Sequence, residues 1–380
     1  MSNIDFLLHK DQDPVNLHRV LRAVWTNPGA SRSGISSALG LDKSTVTKIV
    51  AELIQRGIIE ESAEGDSGQK GGRKPVFLTV NRAFGCVLGL EIQTERYTAV
   101  AIDPDGTIVY SRSAPLLSAG KLVPSVFLDV VSEVTRDLEA RGLELLCVGV
   151  GLSGIIDSAR GIIRQSLPLG VISPVDFYSS SARLLGVPLR IDNDANCCCW
   201  AELIRNRKAR PRDFLFLLGE FRKERVEDIN GGGVSVGMGL VISGRVHLGA
   251  SSSAGEFRSV FRTAETRSQF SLPPGIMGRA AADEAAFKEV ATELGRNVAL
   301  LVNTLDLSHV FIGGSIEKYR RLLIPILEQE IQKNWPYGKK NLTIELSELG
   351  ELVVAYGAAA MFLDRLFALP EIEEATITEG

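Results

Sequence analysis

The chain is poor in the side chains that build metal centres and disulfide frameworks. Its five cysteines are Cys86, Cys147 and the consecutive Cys197, Cys198 and Cys199, with no CxxC pair among them. Neighbouring positions on a helix point about 100° apart, so such a triplet cannot converge on one ion. The four histidines (His9, His18, His247 and His309) are scattered and complete no tetrahedral set. Reduced, buried thiols are the expectation, with no metal and no cofactor. Also missing is any run of about 18 uninterrupted apolar residues, so no membrane-spanning helix is expected. The first residues, MSNIDFLLHKDQD, carry acids and no long apolar stretch, unlike a secretory leader. The cytoplasm is the expected compartment.

A basic excess is missing too: the formal net charge is −4. Spread evenly, that charge would argue against a polyanionic partner. It is not spread evenly. Residues 1–84 carry 11 Lys and Arg against 9 Asp and Glu, whereas the remainder carries 31 against 37. A mildly basic head on an acidic body fits a chain that touches nucleic acid at one end. With 380 residues there is room for two or three domains.

In the head, Val15, Leu17, Leu21, Val24 and Trp25 recur at near-helical spacing, predicting an amphipathic helix that Asn27-Pro28-Gly29 stops. Ser31 is placed to cap a short second helix with Ile35, Ala38 and Leu39 on its apolar face, and Gly40 makes the turn. Asp42 reads as the N-cap of a longer helix, KSTVTKIVAELIQRG, with Val46, Ile49, Val50, Leu53 and Ile54 facing inward and Gly57 as its stop. This is the helix-turn-helix pattern. The exposed first turn of the longer helix offers Lys43, Ser44, Thr45, Thr47 and Lys48, small polar and basic groups that reach major-groove edges and phosphates. The strand-like runs IIEESAE and PVFLTVN flank GDSGQKGGRK, predicting a two-stranded wing. Its glycine-rich tip gathers Lys70, Arg73 and Lys74 for phosphates or a minor groove. The competing reading is a helical interaction module with a solvated basic loop. Helix, turn, helix and basic wing in that order favour a double-stranded DNA operator as partner.

The body alternates strands and helices, which means α/β layers. VLGLEI and YTAVAIDPDGTIVYSR predict three strands, the last two joined by an Asp-Pro-Asp-Gly turn. A helix over VPSVFLDVVSEVTRDLEA leads to the apolar strand LLCVGVGLSGIID, then to VPLRIDNDAN, which ends in a polar cluster, and to the helix CCCWAELIRNRK. The opening triplet of strands returns later as DFLFLLGEF and GVSVGMGLVISGRVHLG, ahead of a helical C-terminal half. Such a repeat predicts two similar lobes with a cleft between them.

Four segments carry a family resemblance: IDNDAN (Ile191 to Asn196) followed by Ala201-Glu202, VGMGLVISGRVHLGASSSAGE (Val236 to Glu256), IGGS (Ile312 to Ser315) and the late YGAAA. On these the body resembles the ROK family (repressors, open reading frames and sugar kinases). Head and body together resemble its NagC/Mlc/XylR-like repressor branch. The resemblance implies an α/β chain with an N-terminal winged helix-turn-helix over 1–84, followed by an actin-like, hexokinase-type two-lobed ROK domain. Its small lobe would span 85–192, with 355–380 returning to it, and its large lobe 193–354. In the family's kinases ATP and sugar meet in the cleft, an Asn-Asp pair holds sugar hydroxyls and the Asp is general base. Asn193 and Asp194 match that pair, Glu256 matches the glutamate of an AGExGH segment, and Gly154 closes the counterpart of Gly-x-Pro-Gly. These four are the implied effector-binding residues. Ser166 stands where the family has an asparagine.

The departures from the family all point away from catalysis. The zinc-binding histidine is Ser259, and VFRTAETRSQFSLP follows it without a cysteine, so no zinc is expected. The kinases' Asp-x-Gly-Gly-Thr reads Glu91-Ile92-Gln93-Thr94-Glu95. β-Carbons there block close approach to phosphate, and the acids repel it. Gly237 and Gly239 remain, though a hairpin or bulge explains them as well. Phosphoryl transfer, which needs both phosphates held and their charge neutralised, is expected to be lost. The expected function is a DNA-binding transcription regulator, a repressor of carbohydrate-related genes, with no enzyme activity. It would bind a small-molecule effector, a sugar or sugar derivative, and act as a homodimer or higher homo-oligomer, with paired heads on half-sites about 10 bp apart. The alternatives are an ATP-dependent sugar kinase with an accessory head, and a body that only dimerises or meets a protein.

Overall fold

The computed structural model describes residues 15–64, 76–116, 121–207, 211–222, 233–264, 266 and 268–367. The wing tip, with Lys70, Arg73 and Lys74, lies outside the described residues. The head opens with α1 (Val15–Thr26), the two-residue strand β1 (Ala30–Ser31), α2 (Arg32–Leu39) and α3 (Lys43–Gln55). Leu17, Leu21, Val24 and Trp25 of α1 are buried together with Val46, Ile49, Val50 and Leu53 of α3. Ser31 caps α2 by accepting a bond from the Gly34 amide at 3.1 Å, and Gly40 takes the left-handed conformation that ends it. Two details differ from the sequence reading. Asp42 stands at the N-cap of α3 but its side chain makes no capping bond. The inward face of α2 holds Ile35 and Ser36 rather than Ala38, because the Ser36 hydroxyl donates to the Leu41 carbonyl and is satisfied inside. Strands β2 (Ile59–Glu64) and β3 (Val76–Val80) pair antiparallel, and β1 adds to β3, giving a three-stranded winged head.

The body holds two five-stranded sheets of matching design. The first comprises β4 (Cys86–Ile92), β5 (Arg96–Ile102), β6 (Ile108–Pro115), β7 (Leu145–Leu152) and β11 (Leu189–Asn193), ordered β11-β7-β4-β5-β6. The strands β8 (Ile155–Asp157), β9 (Ile162–Gln165) and β10 (Val175–Asp176) form a small separate sheet. The run read as one strand, LLCVGVGLSGIID, is therefore two. It breaks at Ser153-Gly154, where Gly154 has φ +110 and an added β-carbon would sit 2.3 Å from the Gln165 carbonyl oxygen.

The second large sheet comprises β12 (Phe214–Arg222), β13 (Gly233–Ile242), β14 (Arg245–Val246), β15 (His309–Gly313) and β16 (Thr343–Leu346), ordered β14-β13-β12-β15-β16. Each sheet is an antiparallel triplet extended by two parallel strands. The C-terminal half is thus not wholly helical: the short apolar runs at 309–313 and 343–346 complete this sheet.

Helices divide between the outer faces and the space between the sheets. On the outside, α4 (Val123–Glu139) and α5 (Phe177–Leu185) pack on Leu88 and Leu90 of the first sheet. Between the sheets lies α6 (Asp194–Arg205). The short α7 (Pro274–Arg279), with α8 (Glu284–Thr304) and α9 (Arg320–Lys333), covers Leu215 and Leu217 of the second sheet. Finally α10 (Val353–Phe367) returns to lie beside α6. Strand alternation sorts the two faces: Val87 and Phe216 face inward toward α6 and α10, whereas Leu88 and Leu217 face outward. The two inner helices touch backbone to backbone, since a β-carbon on Gly357 would fall 1.7 Å from the Cys197 carbonyl oxygen. All five cysteines are buried and unpaired. Among the described residues no helix is long and apolar enough to cross a membrane.

Candidate functional site

The first turn of α3 presents Lys43, Ser44, Thr47 and Lys48 to solvent, while Thr45 is half-buried. Thr47 donates its hydroxyl back to the Lys43 carbonyl at 2.7 Å, one turn earlier in the helix. The helix is held by its buried face, so the exposed turn is free to dock. Beside it, Arg32 at the start of α2 pairs with Glu61 of β2 at 2.7 Å and ties helix to wing.

At one end of the cleft between the lobes, β11 runs into α6 through Asn193 and Asp194. Asn193 is the N-cap of α6: its Oδ1 accepts the amides of Ala195 and Asn196 at 2.9 and 3.2 Å. Its Nδ2 donates to the Gly154 carbonyl at 2.9 Å, so the structure brings these two predicted residues together. Asp194 is half-buried, with Oδ1 accepting its neighbour's Ala195 amide at 2.8 Å. Burial pushes its carboxyl up to about 6, helped by the Glu256 and Glu220 carboxylates and opposed by the Ala195 bond and Arg222. Glu256 is exposed and near enough to act on Asp194. Ser166 is elsewhere in kind: it is 1% exposed and bridges Val171 through its backbone, a structural position.

The other end is a cavity of about 840 Å³, lined in part by Glu91, Gln93, Arg96, Glu220, Lys318 and Glu351. Its polar groups largely answer one another. Gln93 Nε2 donates to Glu91 at 2.5 Å, Arg96 Nε donates to Gln93 Oε1 at 3.0 Å, and Arg96 Nη1 meets Glu351 at 3.3 Å. Ser315 donates to Glu220 at 2.7 Å. Glu91 is only 7% exposed, and burial pushes its carboxyl up to about 7; the Gln93 bond pulls the other way, and the Asp194 charge raises it further. Of the retained glycine pair, Gly239 is needed for packing: a β-carbon there would sit 2.4 Å from both the Ala195 carbonyl oxygen and Cys199 Sγ of α6.

The residues around Ser259 do not fit a zinc ion. Its hydroxyl accepts from Asn297 Nδ2 and from the Phe261 amide, both at 3.2 Å, and its amide donates to the Gln269 carbonyl. The Gln269 side chain ties Val236 to Phe257, and Glu293 holds Ser271 through both carboxylate oxygens at 2.7 Å. Amide and hydroxyl groups make that loop. Among the described residues no group of three or more His, Cys, Asp or Glu is placed to hold a metal.

Sequence reasoning missed that Arg96 joins Gln93 to Glu351, 255 positions further on, and that Glu220 lines the same cavity. The charges at 91, 95 and 96 were the available signal.

Comparison with known proteins follows these two regions. The ROK family profile matches residues 87–258, and the MarR family profile matches residues 15–69. The chain is 24% identical to the xylose repressor of Caldicellulosiruptor bescii, over 94% of its own length and 97% of that protein's. It is 22% identical to the DNA-binding transcriptional repressor Mlc of Escherichia coli, over 92% and 94% of the two chains. Among solved structures, a ROK family transcriptional regulator described as a homolog of E. coli MLC aligns with TM-score 0.74 at 18% identity, over 93% of this chain and 96% of that one. A ROK family glucokinase from Streptomyces griseus, in complex with glucose and AMPPNP, aligns with TM-score 0.57 at 18% identity, over 73% and 99%.

Proposed function

We propose, from the premise that this chain is a ROK-family protein whose actin-like, kinase-type body carries a MarR-type helix-turn-helix head, that it is a cytoplasmic DNA-binding transcriptional repressor switched by a small carbohydrate. The observation that carries the reading is the exposed first turn of α3. Lys43, Ser44, Thr47 and Lys48 stand together on a winged head, with no bulk to keep them from a groove. Lys70, Arg73 and Lys74 are assigned to phosphate contacts from the sequence. The effector end is Gly154, Asn193, Asp194 and Glu256, and the first sugar to try is D-xylose, since several similar proteins are named xylose repressors. Two copies would act together, because one small head reads too few base pairs for specificity.

Phosphoryl transfer is not part of this reading. The place of the phosphate loop holds the mutually bonded Glu91, Gln93 and Arg96, and a triphosphate would have to displace them against two carboxylates.

The test is fluorescence anisotropy of the full-length protein on duplex DNA from the region upstream of its own gene. Affinity is expected to fall with salt, and Lys43→Ala with Lys48→Ala to cut the logarithmic salt slope by about 2. Thr47→Glu is expected to abolish specific binding by setting a carboxylate against phosphate. D-Xylose is expected to shift the midpoint about 5–150-fold. Salt-insensitive binding, unchanged in these variants, would overturn the reading.

A further inference from the structure

Both helices that lie between the lobes run from the cleft to the head. The α6 helix starts at Asp194, beside Glu91 and Glu220, and the chain leaving it reaches Arg207. The α10 helix starts at the cavity-lining Val353 and Val354 and ends at Phe367. At 1.5 Å per residue each spans roughly 20 Å. Their far ends meet at one side chain of the head, Trp25 of α1. The Phe367 ring stacks on Trp25 with centroids 4.7 Å apart and planes at 14°, and the Arg207 guanidinium lies over the indole at 5.3 Å. The indole N–H donates to the Pro104 carbonyl at 3.0 Å, in the turn between β5 and β6.

That turn is itself held by both helices. Arg207 donates to the Asp105 carbonyl at 2.7 Å and pairs with its carboxylate, and Tyr356 of α10 donates to the Gly106 carbonyl at 2.8 Å. Two more contacts secure the head: Arg22 to the Phe367 carbonyl at 3.4 Å, and Arg82 to Asp103 at 2.6 Å. Trp25 is 1% exposed. The helices cannot slide independently, because their backbones touch at Gly357 and Cys197. At the cleft end, Arg96 bridges Gln93 on the β4–β5 connection to Glu351, two residues before α10 begins.

We infer that α6 and α10 form one rigid pair that links the cleft to the head, with Trp25 as the latch by which the head is held to both. The use of this link, to report the state of the cleft to DNA, rests on the repressor reading; the link itself does not. A packed, aromatic junction has discrete arrangements rather than a continuum, so a change in lobe closure reaches the head as a change of its orientation. Coupling of this kind is reciprocal, so a disturbance at Trp25 must be felt in the cleft.

Hydrogen-exchange mass spectrometry on the full chain, without sugar or DNA, tests this directly. Trp25→Ala is expected to raise exchange at least tenfold in α1, and also in the cleft ends of α6 and α10 and in the segment 91–96. Strands β12 and β15 are expected to stay as protected as in the wild type. Arg207→Ala, which removes the guanidinium from the indole and from Asp105 but leaves the core intact, is expected to give the same pattern at lower amplitude, and serves if Trp25→Ala does not fold. A rise confined to α1 and the 103–107 turn would overturn the link, and so would a rise spread evenly over both sheets. Neither result would touch the repressor reading, which is tested on DNA.

Discussion

The two ends of the cleft have gone different ways. Around Asn193 and Asp194 the backbone geometry is tightly specified, with a capped helix start locked onto Gly154 and a half-buried carboxyl near Glu256. At the other end, Glu91, Gln93, Arg96 and Glu351 satisfy one another across the gap between β4 and α10. Polar groups that already have partners have little to offer a ligand, since a newcomer must repay the bonds it breaks. The difference teaches that the two ends are built differently: at one end a capped helix start fixes the half-buried Asp194 carboxyl, while at the other the groups lining the cavity are bonded to one another.

Three measurements would break or sharpen that contrast. The largest effect is expected for Glu91→Gln. A carboxyl whose folded value lies above its unfolded one favours the fold while protonated; for Glu91 that contribution is complete below about 4.5 and lost as pH climbs through about 7. The variant should therefore be more stable than the wild type at pH 8, by on the order of 3 kcal/mol, with the gap closing by pH 4.5. Urea denaturation across pH reads this, and a destabilised variant at pH 8 would mean that the Glu91 charge is used.

Next comes Asp194→Ala, expected to weaken D-xylose about 100-fold in a thermal-shift titration, as for losing charged hydrogen bonds, with DNA affinity in the absence of sugar intact. Loss of DNA binding would instead make Asp194 a structural residue. The smallest effect is expected for Arg96→Ala or Glu351→Ala. Both side chains are more than a third exposed, and the pair contributes about 0–1 kcal/mol to stability. A double-mutant cycle above that range would show this contact to be a main support of the cleft.

Much of the fold was legible in the sequence because single segments encode it. The helix-turn-helix follows from apolar spacing in α1 and α3 and from Ser31 and Gly40 at the turns. The duplicated sheets follow from the repeated strand triplet. What could not be read was set by pairing across distance. The strands at 309–313 and 343–346 are too short to declare themselves without β12 beside them. The bond from Asn193 Nδ2 to the Gly154 carbonyl joins residues 39 positions apart. Trp25 reads as a core residue of a small helix, and nothing nearby in the chain announces Phe367, 342 positions later, as its stacking partner.

The three consecutive cysteines of α6 have a practical corollary. They lie fully buried with Cys86 and Cys147, and burial holds every one of the five thiols well above its ordinary ionisation range. A folded molecule therefore presents no thiolate to maleimides, which need the ionised, accessible form. A cysteine engineered at exposed Ser37, on the outer side of α2, would be the sole labelling site without removing any native sulfur. Nitroxide tags there would reveal whether two copies associate and, if they do, how far apart their heads lie.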